Sequence, residues 1–108
     1  MKQGSVLSLI GNTPMVALGK LSAGLPVPIL AKCEYLNPGG SIKDRIALAI
    51  VDDAEAKGLL QPEATLVEAT AGNTGMGLAL VAACRGYRLV CVMPEKMSID
   101  KSHALRAL

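Results

Sequence analysis

Lys43 stands where a turn-forming run, Asn37-Pro38-Gly39-Gly40, gives way through Ser41 to a helical pattern. An amine at that end of a helix faces the positive end of the helix dipole, which favours its neutral form. A neutral amine is the nucleophile that condenses with an aldehyde to give a Schiff base, so the placement suits a cofactor-carrying lysine. Taken alone, the position reads more readily as a solvated lysine offset by neighbouring Asp44. A second feature is the run Thr70-Ala71-Gly72-Asn73-Thr74-Gly75 between a strand pattern and a helical one. Consecutive backbone N–H groups in such a turn hold phosphate or carboxylate oxygens, and the hydroxyls of Thr70 and Thr74 and the Asn73 amide add directional contacts. Gly75 and Gly77 lie within the helical stretch, where each costs about 1 kcal/mol against Ala. Something must therefore approach closely there, either a ligand or another part of the chain packing tightly.

The elements that must position these groups follow from the apolar spacing. Residues 26 to 34, entered through Pro26 and Pro28, read as a strand. Ser41 and Asp44 have the spacing of a capping box, with the hydroxyl capping the first amides and the carboxylate reaching back. Ile42, Ile46, Ile50 and Val51, with Ala47 and Ala54, give the helix one apolar face until Gly58 ends it. Residues 65 to 69 read as a strand, 76 to 85 as a helix closed by Gly86, and 88 to 93 as a strand. Together they form one βαβ unit with parallel strands. A last helix is expected from Ser98 to Leu108; it has no terminating signal, which reads as a chain cut short. The alternation predicts an α/β layered fold.

Composition excludes several functions. The chain has 108 residues, enough for one domain. Phe and Trp are absent and Tyr35 and Tyr87 are the only aromatics, leaving little for base stacking on nucleic acid. The net charge is +2 with no run of five or more like charges, and every apolar stretch is broken before the roughly 20 residues of a membrane helix. No nucleic-acid or membrane partner is expected. Cys33, Cys84 and Cys91 lack metal-ligand spacing and lie in mainly apolar segments, which predicts buried free thiols in a reducing, cytoplasmic compartment. His103 has only Asp100 at ligand spacing, too few for a metal site, and is read as a surface residue.

Taken together, Asn37-Pro38-Gly39-Gly40-Ser41-Ile42-Lys43-Asp44-Arg45 resembles the Schiff-base lysine motif of the cysteine synthase and cystathionine β-synthase family. Glu68 to Gly75 resembles that family's asparagine loop, Asn12-Thr13-Pro14 its N-terminal signature, and Met93 to Ser98 the segment that follows the second strand. The resemblance implies a fold-type-II enzyme: a three-layer α/β fold with a parallel sheet built from βαβ units, here incomplete relative to the family's two domains. Residues 1–40 would be an N-terminal segment packing on the missing large domain, and 41–108 a small cofactor-side domain truncated at 108. It implies that Lys43 carries pyridoxal 5'-phosphate and moves the substrate's α-proton. Asn73 would hydrogen-bond the cofactor's ring hydroxyl oxygen, and Thr70, Ala71, Gly72 and Thr74 would grip the substrate carboxylate. The reaction implied is β-replacement on a serine derivative, through an aminoacrylate, with a thiol or sulfide giving cysteine, in an enzyme that is a homodimer at full length.

Two positions depart from the family pattern: Ala69 stands where many members have Pro, and Ala71 where many have Ser. A lost hydroxyl removes a bond worth about 1.5–3 kcal/mol to a charged acceptor. The family's phosphate cup and the residue facing the pyridine nitrogen belong to its C-terminal half and are absent from these residues. A cystathionine β-synthase using serine and homocysteine is the alternative within the family. Outside it stand an inactive, self-associating fragment and a dinucleotide-binding βαβ module built on Gly72, Gly75, Gly77 and Glu95. The order of those glycines, G-x-x-G-x-G, argues against the last.

Overall fold

The computed structural model describes residues 4–70, 72–95 and 99–108, without the side chains of Ile99 and Lys101. Its elements in order are β1 (Met15–Ala17), α1 (Gly19–Ser22), β2 (Leu30–Lys32), α2 (Lys43–Ala56), β3 (Thr65–Ala69), α3 (Asn73–Arg85), β4 (Arg88–Val92) and α4 (Ile99–Ala107). Short 3-10 turns occupy Val6–Leu9 and Glu34–Leu36. β1 and β2 pair antiparallel. β3 and β4 pair in parallel, from Thr65 opposite Arg88 to Ala69 opposite Val92, with α3 as the crossover, so the expected βαβ unit is present.

Layering follows from burial. Ala47 and Val51 of α2 form one buried cluster with Leu78 and Val81 of α3, against which Leu66 and Leu89 of the sheet pack, and α3 touches both α2 and β4. The sheet, α3 and α2 are thus stacked in that order. α2 and α3 run in the same direction. Near their starts the Lys43 carbonyl lies against Gly77, and near their ends Arg85 bonds Asp52 and Glu55 at 2.5 and 2.8 Å. Gly58 and Gly86, both with positive φ, close the two helices as their positions predicted.

The expected apolar face of α2 is corrected in part. Ile42, Ile46 and Ile50 are exposed, while Asp44, Ala47 and Val51 are buried. The close crossing is the physical reason: a Cβ on Gly77 would sit 2.9 Å from the Ala47 Cβ, so only a small-residue face can approach α3. The strand expected over 26–34 is confined to Leu30–Lys32, since the two prolines have no N–H for a ladder. α3 begins at Asn73 rather than Met76. Cys33 is buried and Cys91 partly so, but Cys84 is exposed on the last turn of α3, against expectation. The expected helix start at Ser98 lies outside the described residues. None of the described helices is long and apolar enough to cross a membrane.

Candidate active site

In a βαβ unit the helix starts at the end where its first strand finishes, which is where ligands of open α/β sheets bind. Because α2 runs parallel to α3, its start is carried to that same end. Lys43 opens α2, and its carbonyl lies 3.0 Å from where a Cβ of Gly77 would stand, one turn into α3. The two features singled out in the sequence are therefore brought together.

Lys43 is half-buried, its backbone N–H donates to the Ser41 hydroxyl at 3.1 Å, and its amine has no hydrogen-bond or ion-pair partner among the described residues. The expected capping box is formed only in part. Asp44 reaches past Ser41 and accepts from the Gly39 N–H at 2.5 Å, because the Gly39-Gly40 turn folds over the start of the helix. Asp44 is completely buried, and its Oδ1 has no partner. Burial pushes its carboxyl above the ordinary range, against the opposing effect of the Gly39 bond.

Thr70 is buried where β3 ends. Its hydroxyl oxygen accepts from the N–H groups of Gly72 at 3.3 Å and Gly75 at 3.1 Å, which winds the turn directly into α3. The N–H groups of Asn73 and Thr74 have no acceptor among the described residues, as expected in a first helical turn. Asn73 is exposed and Thr74 half-buried. Ala71 lies outside the described residues. Gly75 and Gly77 owe their presence to packing: added Cβ atoms would lie 2.5 Å from the Thr70 methyl and 2.9 Å from Ala47.

One cluster escaped the sequence reading. Glu34 accepts from Arg45 through Nε at 2.8 Å and Nη2 at 3.0 Å, from the Thr13 hydroxyl at 2.5 Å and from Asn37 Nδ2 at 3.0 Å. The Arg45 hydrogen bond first, then that of Thr13, holds the Glu34 carboxyl down at about 2. The available signal was a glutamate following an apolar strand and an arginine inside the lysine motif, but no spacing rule pairs residues 34 and 45.

Residues 6–108 match the family model described as pyridoxal-phosphate dependent enzyme. The chain belongs to the pyridoxal-phosphate-dependent enzyme family. Within this family it is 58% identical over 105 residues to cystathionine beta-synthase of Mus musculus, covering 95% of this chain and 19% of that protein. It is 55% identical over 107 residues to cysteine synthase of a Flavobacterium species, covering 99% of this chain and 34% of that one. A solved structure of an O-ureido-L-serine-bound lysine-to-alanine variant of O-ureido-L-serine synthase superimposes with a TM-score of 0.89 at 48% identity, over 99% of this chain and 33% of that chain. The chain thus spans about a fifth to a third of the length of these relatives.

The residues present fit the aldehyde end of the family's cofactor. A primary amine and two backbone N–H groups, none with a partner among the described residues, together with a carboxamide and a hydroxyl, lie on the first turns of the two helices. No group of three or more metal-ligating side chains occurs among the described residues, and His103 is exposed.

Proposed function

We propose that this chain is the lysine-bearing portion of a β-replacement enzyme of the cysteine synthase type, acting on an O-acetylated serine with sulfide. The observation that carries the proposal is the amine of Lys43, without a partner among the described residues, on the helix whose start lies against the first turns of α3. Pyridoxal phosphate, when bound, supplies the electron sink for the pair released at the substrate Cα. Lys43 holds the cofactor and afterwards takes and returns the proton at that Cα. Asn73 donates to the cofactor's ring hydroxyl oxygen. The N–H groups of Asn73 and Thr74, with the hydroxyls of Thr70 and Thr74 and the backbone of Ala71 and Gly72, orient the substrate carboxylate. Further support comes from the O-ureido-L-serine synthase variant, whose bound O-ureido-L-serine accompanies a lysine replaced by alanine.

The second reading is a cystathionine β-synthase using serine and homocysteine, favoured by the 58% identity to the mouse enzyme. A division at residues 40 and 41 is supported by the separate antiparallel sheet of the N-terminal segment. The exposed Ile42, Ile46 and Ile50 stripe supports a larger assembly, for which a homodimer is proposed. The buried thiol of Cys33 supports a cytoplasmic setting.

The test is incubation with pyridoxal phosphate followed by borohydride and peptide mapping, beside Lys43→Ala. A cofactor adduct on the Lys43 peptide, lost in the variant, is expected. An adduct unchanged in the variant would refute the assignment. Turnover with sulfide against homocysteine then separates the two readings.

A further inference from the structure

We infer that Glu34 and Arg45 are a positioning pair for Lys43: their two-pronged contact fixes the first turn of α2 and thereby sets where the lysine amine stands. The inference rests on the reading of Lys43 given above and adds residues that touch neither cofactor nor substrate.

Four observations carry it. First, Arg45 presents Nε and Nη2 to the two oxygens of Glu34 at 2.8 and 3.0 Å, the fork geometry that a lysine at that position could not reproduce. Second, the carboxylate half of the pair is enclosed, although the Arg45 side chain is 38% exposed. The Glu34 side chain is only 17% exposed, the Thr13 hydroxyl donates to Glu34 at 2.5 Å while accepting from Arg45 at 3.3 Å, and Asn37 Nδ2 donates to the Glu34 carboxylate and carbonyl.

Third, the N-terminal segment closes over the pair. The Gly11 N–H donates to Asn37 Oδ1 at 2.8 Å, and a Cβ on Gly11 would stand 3.0 Å from the guanidinium, so that glycine, at a φ of +90°, lies directly on Arg45. Fourth, the cluster brackets the lysine in sequence: Glu34 and Asn37 precede it and Arg45 follows it, so the intervening turn is held at both ends. Positions 43 and 45 are separated by about 200° around a helix, which lets the cluster grip α2 on a side distinct from its contact with α3.

An amine displaced by a fraction of an ångström loses reaction rate without losing its chemistry. A positioning pair therefore predicts a defect in how readily Lys43 reacts, and a merely structural pair predicts a defect only in stability. The test uses the intact protein loaded with pyridoxal phosphate and compares Arg45→Lys and Glu34→Gln with the parent and with Lys57→Ala, which removes a remote exposed ion pair. Circular dichroism establishes folding. The readouts are the rate at which cofactor becomes borohydride-trappable on Lys43 and the pH midpoint of the bound cofactor's visible band.

Folded Arg45→Lys is expected to link roughly tenfold or more slowly with a displaced midpoint, and Lys57→Ala to match the parent. A folded Arg45→Lys with the parent's rate and midpoint overturns the inference. Should Arg45→Lys and Glu34→Gln both fail to fold, Thr13→Val, which removes one hydroxyl and leaves the ion pair, is judged by the same two readouts. If the parent itself forms no adduct on Lys43, it is the assignment of that lysine that fails, a result distinct from a parent that links normally beside variants that link equally well.

Discussion

Replacing Gly77 by Ala tests the crossing on which the site depends. The new Cβ would stand 2.9 Å from the Ala47 Cβ, 3.0 Å from the Lys43 carbonyl oxygen and 3.2 Å from the Asp44 Cα. Carbon pairs rest at about 3.5–4.0 Å, so α2 must retreat from α3 by about 0.6 Å or more. Two of the three atoms are backbone and cannot swing away. Overpacking of this kind costs about 1–3 kcal/mol, against about 1 kcal/mol that Ala returns in helix propensity. A net loss of up to about 2 kcal/mol is expected, read as a fall of up to about 1 M in the urea midpoint for a typical slope. Urea unfolding of G77A, A47G and the double variant measures it. Because A47G relieves the nearest contact, the two changes should couple favourably by at least about 0.5 kcal/mol. A G77A chain that is more stable than the parent, or strictly additive behaviour in the cycle, would refute the close-crossing argument.

Other consequences follow from the same geometry. The Glu34 carboxyl is held at about 2 against an ordinary 4.5. A depressed carboxyl contributes stability that is complete above its unfolded value and is lost as the pH falls through its folded value. The parent should therefore lose stability between pH 4.5 and about 2 more steeply than Glu34→Gln, as equilibrium unfolding at successive pH values would show. Asp44 is raised instead, so its contribution is lost as the pH rises through the carboxylate range. Stability relative to Asp44→Asn should accordingly fall as the pH rises above the ordinary carboxylate range, whereas a constant difference would mean that the buried group is ionised throughout. Cys84 should react promptly with a disulfide reagent; Cys33 is buried, and the Cys91 thiol is pushed up by burial and by Glu68, so both should lag. Three equally fast thiols would contradict that burial pattern.

The βαβ unit was legible because strand and helix patterns with glycine stops are local signals, and both Gly58 and Gly86 closed their helices as read. Lys43 and the Thr70 to Thr74 turn were legible as separate chemical features. That they share one end of the fold depends on α2 running parallel to α3, a tertiary fact that no local pattern encodes. The apolar face of α2 was misjudged for a related reason. Isoleucines outweigh alanine in any pattern of hydrophobicity, yet the contact with α3 selects smallness, and Ala47 fits beside Gly77 where Ile46 would not. The Glu34 cluster joins positions 11 to 45 through side chains whose separations follow no periodic rule. Asp44 is half legible: its spacing from Ser41 marks a helix start, whereas its burial beneath the Gly39 turn depends on tertiary packing.

The places where glycines meet other side chains also constrain how the chain can evolve. The space beside Gly75 is held by the Thr70 methyl, that beside Gly77 by Ala47, and that beside Gly39 by the Asp44 carboxylate. Beside Gly75 and Gly39 two positions divide one volume, so neither is free to vary alone, and beside Gly77 the backbone of Lys43 and Asp44 closes the space as well. A relative with Ser at position 70 would retain the hydroxyl that organises the turn and gain room for Ala at 75, since the oxygen alone stands 3.4 Å away. Substitutions here should appear across a lineage as matched pairs. Invariance at these glycines would record shared volume within the protein and should not be read as contact with a bound molecule.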